Sequence, residues 1–127
     1  MPADQKTDLD AAEKLKTEAG NLFREKKFDE ACTKYFAAIN QIRLNTELAK
    51  TKTGKDTEMA CRSNLAQCKI NLNDYNSVID QCERVLEYDS NNVKANFRMS
   101  QAAFALSEGK SASQLKVAMK YAQIAKN

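Results

Sequence analysis

The sequence predicts an all-α fold, a solenoid built from three helical hairpins and about six helices, and three observations carry that prediction. The first is an internal repeat. Met59–Asn92 moved forward by thirty-four positions falls on the stretch that begins at Val93, and the chain from Ala12 moved forward by forty-seven falls on Met59. In this register Ala19 aligns with Ala66 and Ser100, Phe23 with Ile70 and Phe104, Ala31 with Val78 and Ala112, and Ala38 with Val85 and Met119. Small and apolar residues keep their places while surface residues change, as expected when paired helices stack on their neighbours. The second is composition: one proline, three glycines and an abundance of Ala, Leu, Lys, Glu, Gln and Asn suit helices and remove most of the signals that separate strands. The third is the recurrence of apolar residues at helical spacing. A chain of 127 residues buries roughly two-thirds of its unfolded surface, enough for a single domain.

Asp8 to about Lys26 reads as the first helix, with Asp8 or Asp10 near its start and Leu15, Ala19, Leu22 and Phe23 on one face. Phe28-Asp29 opens the second, where Ala31, Tyr35, Ala38 and Ile42 recur at helical spacing and Cys32, Phe36 and Ile39 widen the stripe. These two helices form repeat 1, about 12–45. Thirteen extra residues then lie somewhere in Ile42–Asp56, around an insertion at about 46–56. They either lengthen the flanking helices or form a loop, with Thr53-Gly54-Lys55-Asp56 as the expected break. Repeat 2, about 59–92, runs as a helix from about Thr57 to Leu72, a turn at Asn73-Asp74, and a helix from about Tyr75 to Tyr88. Asp89-Ser90-Asn91-Asn92 is suited to capping the next helix. Repeat 3, about 93–126, carries Val93, Phe97, Ala103, Phe104 and Leu106, turns around Gly109-Lys110, and continues as a last helix through Lys126. Tyr35, Phe36, Phe97 and Phe104 are expected to pack between helices.

Several function classes are excluded. No apolar run approaches the roughly 20 residues needed to span a bilayer, and the N-terminal segment lacks the apolar core of a signal peptide, so a soluble, cytoplasmic or nuclear protein is expected. Cys32, Cys61, Cys68 and Cys82 form no CxxC pair and no histidine is available to complete a metal set, so reduced thiols packed between helices are expected, with no metal and no cofactor. The net charge of +3 arises from interspersed charges without a basic run, which gives no nucleic-acid surface. Without histidine or a Gly-rich phosphate loop, catalysis finds no support.

Phe28-Asp29-Glu30-Ala31, Asn64-Leu65-Ala66-Gln67-Cys68 and Tyr88-Asp89-Ser90-Asn91-Asn92-Val93-Lys94 resemble the tetratricopeptide repeat (TPR) family, and the resemblance runs from about Ala12 to the C-terminus. Within that family the chain is most similar to the three-repeat domains of co-chaperones, especially large immunophilins. The resemblance implies binding of the acidic C-terminal Glu-Glu-Val-Asp tail of heat-shock protein 90 or 70 through a carboxylate clamp. The family pattern is Lys and Asn four apart in the first repeat's leading helix, one Asn in the second, and Lys and Arg four apart in the third. Lys16, Asn64, Lys94 and Arg98 fit it.

The chemistry of those types is direct. Ammonium and guanidinium donors form charge-assisted hydrogen bonds with the two carboxylates of a terminal aspartate, while an amide donates without adding repulsion beside them. Lys94 and Arg98 lie one turn apart on a helix face, and Asn64 and Arg98 hold equivalent repeat positions, so parallel helices bring them toward one groove. The departure is at Gly20, where the family places the clamp asparagine. A gapless reading puts Gly20 in the groove and turns Asn21 about 100° away; aligning Gly20-Asn21 with the family's Gly-Asn pair shortens the next turn instead. The gapless reading keeps Leu15, Phe28 and Ala31 in register and is preferred. Gln67, Asn71 and Gln101 are weaker groove candidates. A second reading is an assembly module that recognises a folded partner or an internal peptide without a terminal carboxylate. It draws on Val117 and Ile124, which the last helix would leave for a longer chain or another subunit to cover. Oligomeric state is left open.

Overall fold

The computed structural model describes residues 1–108, and all regular structure among them is helical. The helices are α1 (Ala3–Arg24), α2 (Phe28–Arg43), α3 (Thr46–Lys50), α4 (Lys52–Asn71), α5 (Tyr75–Tyr88) and α6 (Val93–Ser107). The hairpins α1/α2 and α4/α5 stack through α2 against α4, and α6 continues the series against α5 and α4. The trailing helix expected after Gly109, with Ala112, Val117, Met119 and Ile124, lies outside the described residues.

The two hairpins turn in the same way. Lys26 (φ 63°) and Asn73 (φ 59°) both take the left-handed conformation just after a helix, and they stand forty-seven positions apart, the repeat offset itself. Asp74 caps α5 by accepting from the Ser77 amide at 3.3 Å, and Asn92 caps α6 by accepting from the Ala95 amide at 2.9 Å.

Two expected boundaries are corrected. The first helix starts at Ala3, behind Pro2, so Asp8 and Asp10 are interior to it. Asp8 serves tertiary structure instead: its carboxylate accepts from Gln41 Nε2 at 2.7 Å and from Asn45 Nδ2 at 2.8 Å, tying α1 to the end of α2. Of the two forms expected for the insertion, the structure has a lengthened helix, α4, with the short α3 before it, and the expected break at Thr53–Asp56 is misplaced. The break falls at Thr51, and Thr53, Gly54, Lys55 and Asp56 lie in the first turns of α4. Thr51 Oγ1 accepts from the Gly54 amide at 3.0 Å and donates to the Leu48 carbonyl at 2.7 Å, so one hydroxyl ends α3 and starts α4. Gly54 is needed because a Cβ there would sit 2.0 Å from the Leu48 carbonyl oxygen.

The core follows the repeat. Ala12, Ala19, Ala31, Ala38, Leu65, Ala66 and Val78 are fully buried, and Leu48 of the insertion joins the same core as Ala12, Ile42 and Cys61. All four cysteines are buried and unbridged; burial pushes the Cys61 and Cys82 thiols up to about 11 and Cys68 to about 12. Of the aromatic residues expected to pack, Tyr35 is 4% exposed, whereas Phe36, Phe97 and Phe104 are 41%, 53% and 57% exposed. Those three are only partly covered by the described residues.

Candidate functional site: a basic groove along α1, α4 and α6

Helices α1, α4 and α6 lead the three repeats, and their facing sides form a groove made of two adjoining cavities of about 420 and 550 Å³. Lys16 of α1 and Asn64 of α4 line both cavities. Arg98 lines the first and Lys94 the second. The four residues singled out from sequence, spread over more than eighty positions, thus share one surface.

Their surroundings differ. Arg98 is half-buried and strapped to α4: its Nη1 donates to the Ser63 carbonyl at 2.9 Å and to Ser63 Oγ at 2.7 Å, and its Nε donates to Gln67 Oε1 at 3.2 Å. Desolvation lowers its pKa from the usual value, but a guanidinium stays charged at neutral pH. Among the described residues its Nη2 has no hydrogen-bond acceptor, so a held cation keeps donors for a ligand. Lys94 is exposed. Lys16 is half-buried and lies 4.0 Å from Glu13, a weak pairing whose partner is also engaged by Thr57 Oγ1 at 3.0 Å.

Of the weaker candidates, Gly20 and Gln67 line the first cavity. Asn21 is exposed and turned out of it, as the gapless register requires, and accepts from Arg24 Nη2. Asn71 is exposed and accepts from Gln67 Nε2 at 3.0 Å, so it orients Gln67 from outside the cavities. Gln101 is exposed and lines neither cavity.

Sequence reasoning missed three groove residues. Arg24 lines the first cavity; it stands two turns beyond Lys16 and only about 80° around the helix, a spacing that could have revealed it. Tyr35 buries its ring while its hydroxyl reaches the same cavity, and burial raises the phenol's pKa, leaving a neutral donor at physiological pH. Ser63, which holds Arg98, carries no sequence signal, because its role depends on how α6 lies across α4. Acidic groups also enter the walls: Glu13 in the first cavity, and Asp56 and Asp89 in the second. Asp56 is engaged by Lys52 Nζ at 2.8 Å and by the Tyr88 hydroxyl at 2.7 Å, and these bonds hold its carboxyl below the usual range.

No group of His, Cys, Asp and Glu among the described residues is arranged to hold a metal, and no helix among them is long and apolar enough to cross a membrane.

No protein-family model matches the chain. It is 33% identical over 121 residues to the Arabidopsis thaliana peptidyl-prolyl cis-trans isomerase FKBP42, covering 90% of this chain and 33% of that protein. It is 32% identical over 98 residues to the Hsp70/Hsp90 co-chaperone cns1 of Schizosaccharomyces pombe, covering 76% and 25%, and 34% identical over 94 residues to the Arabidopsis outer envelope protein 61, covering 74% and 16%. The chain therefore spans a third or less of these relatives. Its fold is similar to the C-terminal TPR-containing domain of a Plasmodium falciparum FK506-binding protein, with a TM-score of 0.67 at 22% identity, covering 96% of this chain and 93% of that one. The chain is a tetratricopeptide-repeat domain, similar in sequence to an FKBP and to an Hsp70/Hsp90 co-chaperone.

Proposed function

We propose that this domain binds extended acidic peptides ending in a free carboxylate, of the Glu-Glu-Val-Asp kind found at the C-terminus of heat-shock protein 90 or 70, and works as the chaperone-docking module of an immunophilin-like cytoplasmic co-chaperone. The observation that carries this reading is the convergence of Lys16, Asn64, Lys94 and Arg98, from three helices, on one groove. Arg98, immobilised by Ser63 and Gln67, is pre-ordered and gives up little side-chain freedom on binding a carboxylate. Lys16 and Lys94 add charge that steers an acidic tail inward. Similarity to one relative, an Hsp70/Hsp90 co-chaperone, supports the choice of partner. The domain itself catalyses nothing in this reading, and isomerase activity belongs to other parts of immunophilin relatives. The whole chain is taken as one domain, with repeats at about 12–45, 59–92 and 93–126.

Calorimetric titration with Ac-Met-Glu-Glu-Val-Asp tests the proposal. Micromolar binding that weakens with added salt and is lost on amidating the terminal carboxylate is expected. No binding at millimolar peptide, or equal binding of the amidated peptide, would overturn it.

A further inference from the structure

The first cavity holds a feature that the four-residue set does not use. Gly20 faces it, and a Cβ at that position would meet nothing nearer than Arg24 Nη1 at 3.7 Å and the Tyr35 hydroxyl at 3.9 Å, both ordinary contact distances. Room for at least a methyl group is thus left to the groove. A cation and a neutral hydroxyl donor both border it, a pairing suited to a carboxylate. Arg24 Nη2 donates to Asn21 Oδ1 one turn back along α1. The Tyr35 ring is buried, so its hydroxyl has little freedom to leave.

We propose that Gly20, Arg24 and Tyr35 form a specificity-determining subsite that lets the groove accept a peptide ending in glutamate nearly as well as one ending in aspartate. The proposal rests on the terminal-carboxylate reading above. A close-fitting site penalises one additional methylene by roughly tenfold or more. Here the additional methylene has somewhere to go, and Arg24 meets the carboxylate at the end of it. Asn21, turned away from the ligand, acts through Arg24 as a positioning residue.

The test is calorimetric titration of the whole chain with two peptides, Ac-Met-Glu-Glu-Val-Asp and Ac-Met-Glu-Glu-Val-Glu, and their amidated forms. Wild type is expected to bind the two free acids within fivefold of each other. Gly20→Asn, which fills the space, is expected to favour the Asp-ended peptide by tenfold or more. Arg24→Gln is expected to weaken the Glu-ended peptide at least fivefold more than the Asp-ended one; because Arg24 is exposed, this variant keeps the test informative should Gly20→Asn fold poorly. Rejection of the Glu-ended peptide by wild type beyond fivefold, or an Asp-to-Glu ratio unmoved by Arg24→Gln, overturns the subsite while leaving the terminal-carboxylate reading intact. Failure of both free acids to bind, or equal binding of the amidated forms, overturns both.

Discussion

Gly20 and Gly54 lie in the leading helices of successive repeats, and neither adopts an unusual backbone angle, yet their neighbourhoods are opposites. Around Gly54 there is no room: the Leu48 carbonyl oxygen would lie 2.0 Å from a Cβ, and Thr51 Oγ1 would lie 3.0 Å from it. Around Gly20 there is space bordered only by the tips of Arg24 and Tyr35. The absent side chain at Gly54 is a packing requirement of the α3–α4 junction, while the absent side chain at Gly20 shapes a ligand groove. A glycine inside a helix, which costs helix stability wherever it occurs, therefore has a different reason for being in each place.

The sharpest way to break this comparison is Gly54→Ala. Forcing a methyl against backbone is expected to lower unfolding stability by about 3 kcal/mol, the upper end for overpacking, as α3 is pushed off α4. Urea denaturation measures it, and a loss under about 1 kcal/mol would mean that the junction yields easily and Gly54 is incidental.

On the Gly20 side the largest effect should fall on the ligand. Arg98→Ala removes a half-buried cation and is expected to weaken the acidic peptide by about tenfold or more, corresponding to about 1.5–3 kcal/mol for a hydrogen bond to a charged group. Lys94→Ala, at an exposed position, should cost less, about threefold. The order is checked by titrating both variants in parallel; a larger loss for Lys94 would show that pre-ordering by Ser63 does not govern the groove. Arg98→Ala also removes the strap from α6 to α4, so some thermal stability should go with the affinity, whereas Lys94→Ala should leave the melting temperature in place.

Smaller effects separate the two neighbourhoods further. Thr51→Ala deletes the cap that accepts from the Gly54 amide and donates to the Leu48 carbonyl, at an expected cost of about 1 kcal/mol in urea unfolding. Gly20→Ala should change stability with the opposite sign from Gly54→Ala, raising it by about 0.5–1 kcal/mol, because alanine is the better helix former and its methyl has room. A destabilising Gly20→Ala would show that Tyr35 or Arg24 needs that space in the unliganded protein.

Much of this was readable from the chain. The forty-seven-residue offset pointed to which alanines are buried, and the same offset separates Lys26 and Asn73, which the structure finds closing equivalent turns. The Asp89-Ser90-Asn91-Asn92 cluster announced a cap, and the structure assigns it to Asn92. Asn64 and Arg98 hold equivalent positions in that register, whereas Lys16 and Lys94 joined them through the resemblance to the family's clamp pattern. Of the two forms open to the insertion, a lengthened helix is the one found in α4, but its break was misplaced because turn-forming residues were weighed without their neighbours: Gly54 looks like a break until the Leu48 carbonyl is set against it, and Thr51 is an ordinary polar residue until it joins two helices. Phe36, Phe97 and Phe104 have the spacing of packing residues, but spacing does not say whether a neighbouring element covers the stripe.

What the sequence determined by itself is therefore periodic: helix identity, hairpin turns, the buried small residues and the side of the stack on which the basic residues stand, all of which derive from local backbone preference and a fixed residues-per-turn geometry. What the tertiary structure decided is contact at a distance. Ser63 holds Arg98 across thirty-five residues, Tyr35 reaches the space beside Gly20 from another helix, and Leu48 excludes a side chain at Gly54. Such contacts depend on how closely and at what angle two helices cross, a balance of many individually small packing terms that no single stretch of sequence contains.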